Sequence, residues 1–423
     1  MDRRSFTQSL SALALTSSAS ISGSALQTVA DVVAQSGSSA DTRAERQIAR
    51  TTVSTPLRLG LIGAGSRGQE LMRNFLRVPG VKVNAAADVY PLRFEQLNRV
   101  CGYNVASHAD YRSLLDRNDL DAIVIATPLG LHAEHVLAAL KTGRPVYGEK
   151  TMAYTIEQAR EIVAEVATRK QVFQIGHQYR YSPWIRAAMA RVQANEIGDV
   201  THVLAYWNRN NSWRRSVPDP SLERLINWRL YHQWSLGLIA ELGSHHMDIA
   251  NWVMGSYPLS AQASGSICCY HDGRETDDNV QVILSYPGGR RMVFTSMIDN
   301  AMLGDQLWLY GTKGSLNLTL QDAMFYYEPR RVEAVKTGTG YEPVVTGASY
   351  NPANEMPYRG PGKPVAVNNA EDPTTAATRA FVHCVRTGER PIADEHVGLG
   401  SALAVVSANQ ARVQKKEVEI AAV

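Results

Sequence analysis

The sequence has no block of like charge. Its 43 lysines and arginines are scattered among 40 acidic residues, leaving a formal net charge of +3. Without a basic stripe there is no electrostatic footprint for nucleic acid, and none is expected as a partner. Cysteine is scarce: Cys101, Cys268, Cys269 and Cys384 are the four. They form no CxxC, and no Cys/His spacing fits a zinc site, so neither disulfides nor a metal are expected to hold the fold. The adjacent Cys268-Cys269 pair is expected to alternate across a strand, one side chain per face. Long apolar runs are missing as well. No segment reaches the roughly 18 uninterrupted apolar residues of a spanning helix, so no membrane span is expected. What remains is a globular composition, 44% apolar and 20% charged, over 423 residues. That length suits two domains, each with its own core.

The N-terminus reads MDRRSFTQSLSALAL. Arg3 and Arg4, then Phe6, then a thin apolar stretch resemble a twin-arginine export signal. Small residues around Gly23-Ser24-Ala25 or Thr28-Val29-Ala30 offer a cleavage site. The alternative is a disordered basic tail. The expectation is a signal over 1–30, a linker over 31–56, and an exported, periplasmic protein.

From residue 57 strands and helices alternate. LRLGLIG, VKVNAAAD, DAIVIATP, PVYGEK and QVFQIGHQYRY read as five strands, separated by helices such as SRGQELMRNFLRV and TIEQAREIVAEVATRK. Leu71, Phe75 and Val78 fall on one side of the first helix. This pattern predicts an α/β fold, with an N-terminal doubly wound parallel (Rossmann) sheet over 57–180. After 181 the texture changes. THVLAYWN, QASGSICCYH, NVQVILSYP, RRMVFTSMID, DQLWLYGT and GSLNLTL are strand-like and joined by turn residues. With helices before, within and after them, residues 181–423 read as an α+β domain with a large, mostly antiparallel sheet.

GAGSRG, Gly63 to Gly68, fits G-x-G-x-x-G between a predicted strand and a predicted helix. Gly63 allows the tight turn, Gly65 lets a pyrophosphate approach, and Gly68 lets helix and strand pack closely. The helix start supplies N–H groups and positive potential, so Gly63, Ala64, Gly65, Ser66, Arg67 and Gly68 are candidate phosphate contacts. Asp88 ends the second strand, where a carboxylate accepts from a ribose diol and repels a 2′-phosphate. NAD is therefore expected; Arg93, five residues on, leaves NADP possible. Glu149 and Lys150 end the fourth strand, where ligands of such sheets lie. An ammonium there donates to a substrate hydroxyl and stabilises a developing alkoxide. The other reading of Lys150 is a surface residue past a strand.

GAGSRG, then Asp88, then DAIVIATPLGLHAEHVLAALKTGRPVYGEK, GHQYRYSP and ELGSHHMDIANWVMG together resemble the glucose–fructose oxidoreductase/inositol dehydrogenase (Gfo/Idh/MocA) family. The resemblance implies a nicotinamide enzyme acting on carbohydrates or polyols, with Lys150 in its active site. It makes Thr127 and Pro128 cofactor contacts, places His132 where the chain passes the nicotinamide, and maps an acid-x-x-x-His motif onto Glu241 and His245. This chain departs in having Thr151 where the family usually has proline after Glu-Lys, and Glu241 where Asp is commoner. His245 suits proton transfer, the alternative being a core histidine bonded to backbone. Glu241 would orient that imidazole or bind a sugar hydroxyl.

Tyr179 and Arg180 either touch substrate or tie the two domains together. Trp207, Trp213, Trp228 and Trp234 crowd one stretch with Arg209, Arg214, Arg215, Arg229 and His232 interleaved. Packing explains them, or else a pocket wall for a sugar, with Trp228, Arg229 and His232 as contacts. Trp308 and Phe294, on the open face of the second sheet, suggest a homo-oligomer, dimer or tetramer. An exported protein meets no free cofactor pool, so the dinucleotide is expected to be tightly bound and restored on the enzyme. That fits an oxidoreductase acting on a sugar, polyol or glycoside. The alternatives are redox-neutral glycoside cleavage through transient oxidation and elimination, and a non-catalytic sugar-binding protein with a structural dinucleotide.

Overall fold

The computed structural model describes residues 55–328, 361–367 and 370–421. The expected leader, and all of the linker but its last two residues, lie outside the described residues. The first half runs β1 (Leu57–Ile62), α1 (Ser66–Phe75), β2 (Val81–Ala87), α2 (Leu92–Cys101), β3 (Ala106–His108), α3 (Tyr111–Leu115), β4 (Ala122–Ile125), α4 (His132–Lys141), β5 (Val146–Gly148), α5 (Ile156–Arg169) and β6 (Phe173–Ile175). The second half adds α6 (Pro183–Gln193), β7 (Val200–Asn210), α7 (Ser244–Met254), β8 (Ser260–Ser266), β9 (Asn279–Ser285), β10 (Arg291–Met297), β11 (Asp299–Gly311), β12 (Gly314–Leu318) and β13 (Ala323–Tyr327). It closes with β14 (Lys363–Pro364), α8 (Pro373–Thr387), α9 (Glu395–Gln414) and β15 (Val418–Glu419).

The first six strands form one parallel sheet in the order β3-β2-β1-β4-β5-β6. The order reverses between β1 and β4, which opens a crevice beyond their C-terminal ends. The strands are apolar on both sides because helices cover both faces. Leu59, Leu61, Val124 and Tyr147 face Leu71 and Phe75 of α1; Ile123, Ile125 and Val146 face the opposite layer. Leu71, Phe75 and Val78 are all buried, as their spacing predicts. The starts of α5 and α6 are written in the sequence. Thr155 and Gln158 form a reciprocal cap, and Ser182 caps α6 ahead of Pro183.

The remaining strands form a second sheet in the order β14-β13-β12-β11-β7-β10-β9-β8-β15, antiparallel except for the β7–β10 pair. Two local expectations are corrected. Strand β8 stops at Ser266, so Cys268 and Cys269 do not alternate across a strand; both are exposed in the turn that follows. The cause is Asp278, whose carboxylate collects the backbone N–H groups of Cys268, Cys269 and Tyr270 at 3.0, 2.7 and 2.9 Å and bends the chain. Phe294 is not on the open face. It is fully buried on the inner side, its ring 5.7 Å from that of His246. Trp308 is on the outer side, stacked on Tyr310.

The boundary expected at 180/181 is crossed again near the C-terminus. Phe381 of α8 meets Phe75 and Tyr147 edge-on at 5.9 and 5.7 Å between ring centres, so α8 covers the first sheet beside α1. Helix α9 packs on β8 and α7 of the second half and on α5 and β6 of the first. Thirteen of its 20 residues are buried, among them Gly398, Gly400, Ser401 and Ala402. Small residues let it sit deep: a Cβ on Gly398 would lie 2.5 Å from the Met152 sulfur, and one on Gly400 2.3 Å from the Tyr257 ring.

Candidate active site

The glycine loop takes the geometry its spacing predicts. Gly63 has φ +92°, and a Cβ there would lie 2.7 Å from the Ala126 carbonyl oxygen. A Cβ on Gly68 would lie 2.1 Å from the Gly63 oxygen, so only glycine lets α1 approach β1 this closely. At Gly65 a Cβ would meet nothing within 4 Å; the space beside it is open. No side chain caps the start of α1, which leaves its first N–H groups facing that space. The Asp88 carboxylate accepts from the N–H of Ala64 at 2.8 Å and of Tyr90 at 2.9 Å, tying the end of β2 to the loop. Burial raises its pKa above the usual value, against the pull of these N–H groups and of Arg93.

Arg67 turns back under the loop. Its Nε donates to Glu149 Oε1 at 2.7 Å and its Nη1 to Glu70 at 2.9 Å, while its Nη2 is buried without a partner. Burial works against the charge of Arg67, but Glu149, Tyr147 and Glu70 together outweigh it and raise its pKa. Glu149 is 6% exposed and fits because Gly176 is opposite; a Cβ there would lie 3.0 Å from its carboxyl. Next along the chain, the Lys150 ammonium donates to the Glu241 backbone oxygen at 2.7 Å. Burial pushes its pKa below the usual lysine value, against the opposing pull of Glu241 and Glu149. His132 bridges the strand ends beside it. Its ring nitrogens lie 2.8 Å from the Thr127 oxygen and 2.7 Å from the Thr151 oxygen, and burial lowers its pKa.

Glu241 comes from a five-residue π-helical turn, Ile239–Gly243, immediately before α7. Such turns mark functional sites because they redirect one side chain without ending the helix. Its carboxylate is not aimed at His245. It accepts from Arg229 Nε at 2.8 Å and Ser235 Oγ at 3.2 Å. Burial alone would raise its pKa; Arg229 and Lys150 outweigh that and hold it low. Arg229 in turn lies over the Trp228 ring, 4.3 Å from its centre.

One cavity of 960 Å³ joins these groups. Its walls include Gly63, Gly65, Ser66, Arg67 and Asp88 at one end, and Thr127, Pro128, His132, Glu149 and Lys150 in the middle. Trp228, Arg229, Trp234 and Glu241 of the second half face them. Ala64 and Gly68 are buried behind the loop. The open space at Gly65, the uncapped start of α1 and the unpartnered Arg67 nitrogen fit a dinucleotide. Among the described residues, no group of three His, Cys, Asp or Glu could hold a metal ion.

Other expected contacts are elsewhere. His245 is 2% exposed and does not line the cavity. Its ring stacks on Tyr179 at 4.5 Å, and its Nδ1 has no partner. Burial, and then the charge of Lys150, push its pKa well below the usual histidine value. Tyr179 donates to Asp305 at 2.7 Å, and Arg180 forks onto the buried Asp248, with Nε 2.8 Å and Nη2 2.9 Å from its oxygens. Neither lines the cavity, so these two tie the first half to the second. His232 is not at the wall either. Its backbone N–H donates to Glu275, and its carbonyl accepts from the Tyr154 hydroxyl. Of the tryptophan group, Trp207 packs in the core, while Trp228 and Trp234 line the cavity. Arg215 and Gln233 line it too, and the sequence did not mark them as contacts. Their one signal was position, within the aromatic and arginine-rich stretch.

Comparison with known proteins agrees with this geometry. Residues 57–177 match the model of an oxidoreductase family with an NAD-binding Rossmann fold, and residues 185–317 match the GFO/IDH/MocA C-terminal domain. The rhizopine catabolism protein MocA of Rhizobium meliloti is 26% identical over 279 residues, 65% of this chain and 80% of that one. Inositol 2-dehydrogenase of Rhizobium meliloti (strain 1021) is 25% identical over 288 residues, 67% of this chain and 80% of the relative. The fold is shared with levoglucosan dehydrogenase, solved with NADH and levoglucosan, at a TM-score of 0.68 and 20% identity; the match covers 87% of this chain and all of that one. The two matches follow one another along the chain, and the chain belongs to the Gfo/Idh/MocA family of NAD-binding oxidoreductases.

Proposed function

We propose that the protein oxidises a carbinol carbon of a sugar, cyclic polyol or glycoside, with Lys150 handling the hydroxyl proton. The observation that carries this is the placement of the Lys150 ammonium. It ends a strand of the dinucleotide sheet and lies in the same cavity as the glycine loop and the Trp228–Arg229–Glu241 wall. NAD, when bound, accepts the hydride. The chain's own groups do the rest. Lys150 is held by a backbone oxygen rather than a carboxylate, so it is free to exchange a proton with a hydroxyl. The Glu241 carboxylate and the Arg229 guanidinium present an acceptor and donors to neighbouring hydroxyls, and Trp228 and Trp234 offer apolar faces to C–H groups. That the named relatives include an inositol dehydrogenase supports this substrate class.

The assay is absorbance at 340 nm with inositols, aldoses and anhydrosugars added to the full chain. A lasting rise with one of them is expected. Products without a lasting rise would instead indicate redox-neutral cleavage, and neither would leave a binding protein.

The Asp88 carboxylate supports NAD over NADP, because a 2′-phosphate beside it is repelled. Replacing it by serine is expected to shift the NADPH-to-NADH affinity ratio by at least about 10-fold toward NADPH, with Arg93 left as the nearby cation. An unchanged ratio in a binding titration would move the ribose contact elsewhere.

The Arg3-Arg4 leader supports export of the folded protein with its dinucleotide on board. Protein collected from outside the cytoplasmic membrane, then denatured, is expected to release NAD(H). A homo-oligomer also belongs to this proposal, formed through the outer sheet face that carries Ile283, Trp308, Tyr310 and Tyr326, and light scattering measures it.

A further inference from the structure

The segment between β7 and α7 crosses from the second half to the mouth of the glycine loop. There the Arg215 guanidinium donates from Nη1 to the Ser66 hydroxyl at 3.2 Å, across 149 residues of chain. Ser66 is the first residue of α1. Arg215 is held in place from behind. The Asn227 side chain, 2% exposed, accepts from the Arg215 N–H at 2.7 Å and donates to its carbonyl at 2.9 Å. That amide mimics a strand partner and fixes one residue's backbone, the arrangement expected where a side chain must be aimed.

Arg215 differs from its neighbours in what it faces. Arg214 pairs with Glu223 and with Asp272, Arg224 pairs with Glu275, and Arg229 pairs with Glu241. Arg215 has no carboxylate within ion-pair distance among the described residues, and neither does Arg93. Both line the cavity. Burial, followed by the charges of Arg229 and Arg93, disfavours the charged form of Arg215. A guanidinium on the cavity wall that faces like charges, beside an uncapped helix start, is relieved by an anion. The space between Ser66, the open side of Gly65 and Arg215 is where the glycine loop places a pyrophosphate.

We propose that Arg215 is a clamp on the dinucleotide's pyrophosphate, contributed by the second half and aimed by Asn227, which closes the site over the phosphates and slows release. The proposal rests on the dinucleotide reading of the cavity. A clamp of this kind ties cofactor exchange to withdrawal of the whole 211–228 segment, which gives long retention without any covalent link.

The test uses the full chain freed of bound dinucleotide, in wild-type, Arg215→Ala and Arg215→Lys forms, with melting curves to show that each is folded. NADH dissociation is followed by stopped-flow fluorescence, and ADP and adenosine affinities by calorimetry. Arg215→Ala is expected to speed NADH release and weaken ADP by about 10- to 100-fold, the range of a charge-assisted hydrogen bond. Adenosine, which lacks phosphates, is expected to bind both forms alike. Arg215→Lys, with charge but no fork, is expected to fall between. Equal NADH release rates and ADP affinities in wild type and Arg215→Ala overturn the clamp and leave the dinucleotide reading standing. A loss confined to NADPH also overturns it, because it puts the guanidinium on a 2′-phosphate. Wild type that binds neither NADH nor ADP overturns the dinucleotide reading and the clamp with it.

Discussion

Replacing Lys150 by methionine is expected to lower kcat by about 10³-fold, the usual worth of a positioned acid–base group, while the protein still binds NADH. Methionine keeps the apolar stem in its slot and removes only the ammonium. Gly65, Ser66 and Asp88, the proposed dinucleotide contacts, are untouched, so binding and chemistry separate cleanly. The pH profile carries the sign. On the proposed chemistry Lys150 accepts the hydroxyl proton in the oxidising direction, so activity falls as pH drops and the amine becomes charged. Burial holds its pKa below the ordinary lysine value, so the fall lies at lower pH than for a surface lysine. That acid limb is expected to vanish in Lys150→Met. If kcat/KM keeps the limb at the same midpoint, the acceptor is another group. His245, whose imidazole senses the Lys150 charge from its buried position, is then the first to examine.

Glu149→Ala is expected to cost about 3–5 kcal/mol of folding stability, the effect of stripping one partner from a buried ion pair. Arg67 would keep only Glu70, which is about half exposed, against its buried guanidinium. The same change frees Arg67 from beneath the glycine loop and is expected to weaken NADH binding together with stability. Glu149→Gln, which still accepts a hydrogen bond, is expected to lose less of both. Urea unfolding and NADH titration on the pair of variants check this. Full stability in Glu149→Ala would show that the loop is organised by glycine geometry alone.

The first half was legible because its signals are local. A fully buried strand, a glycine turn and a capped helix each reveal themselves within about ten residues, as β1, Gly63–Gly68 and Thr155–Gln158 do. Strand β3 was missed for the same reason. Ala106–His108 is three residues long, neither apolar nor alternating, and is a strand only because β2 offers it an edge. Lys150 was legible as chemistry from its strand-end position, and Glu241 through the family resemblance. Their partners were not, because Arg229 and Ser235 reach Glu241 from a preceding loop. His245 shows the limit most clearly: four residues from Glu241 in sequence, it is turned into an aromatic stack by the π-helical turn and Tyr179. Tyr179 and Arg180 follow a strand end exactly as site residues would, and only Asp305 and Asp248, more than 60 positions on, draw them inward.

Helix α9 has a consequence for how this protein can be divided. It is the last long element of the chain, yet it lies under both sheets and bonds His177 of the first through Ser401, Nε2 to Oγ, at 2.9 Å. A fragment ending near residue 181 would expose the apolar surface that α8 and α9 cover, and a fragment beginning there would strip α8 of its seat on α1 and α9 of the side that α5 and β6 cover. The nucleotide-gripping half is therefore not a portable module. Each half therefore settles only once α8 and α9 are there to pack against it.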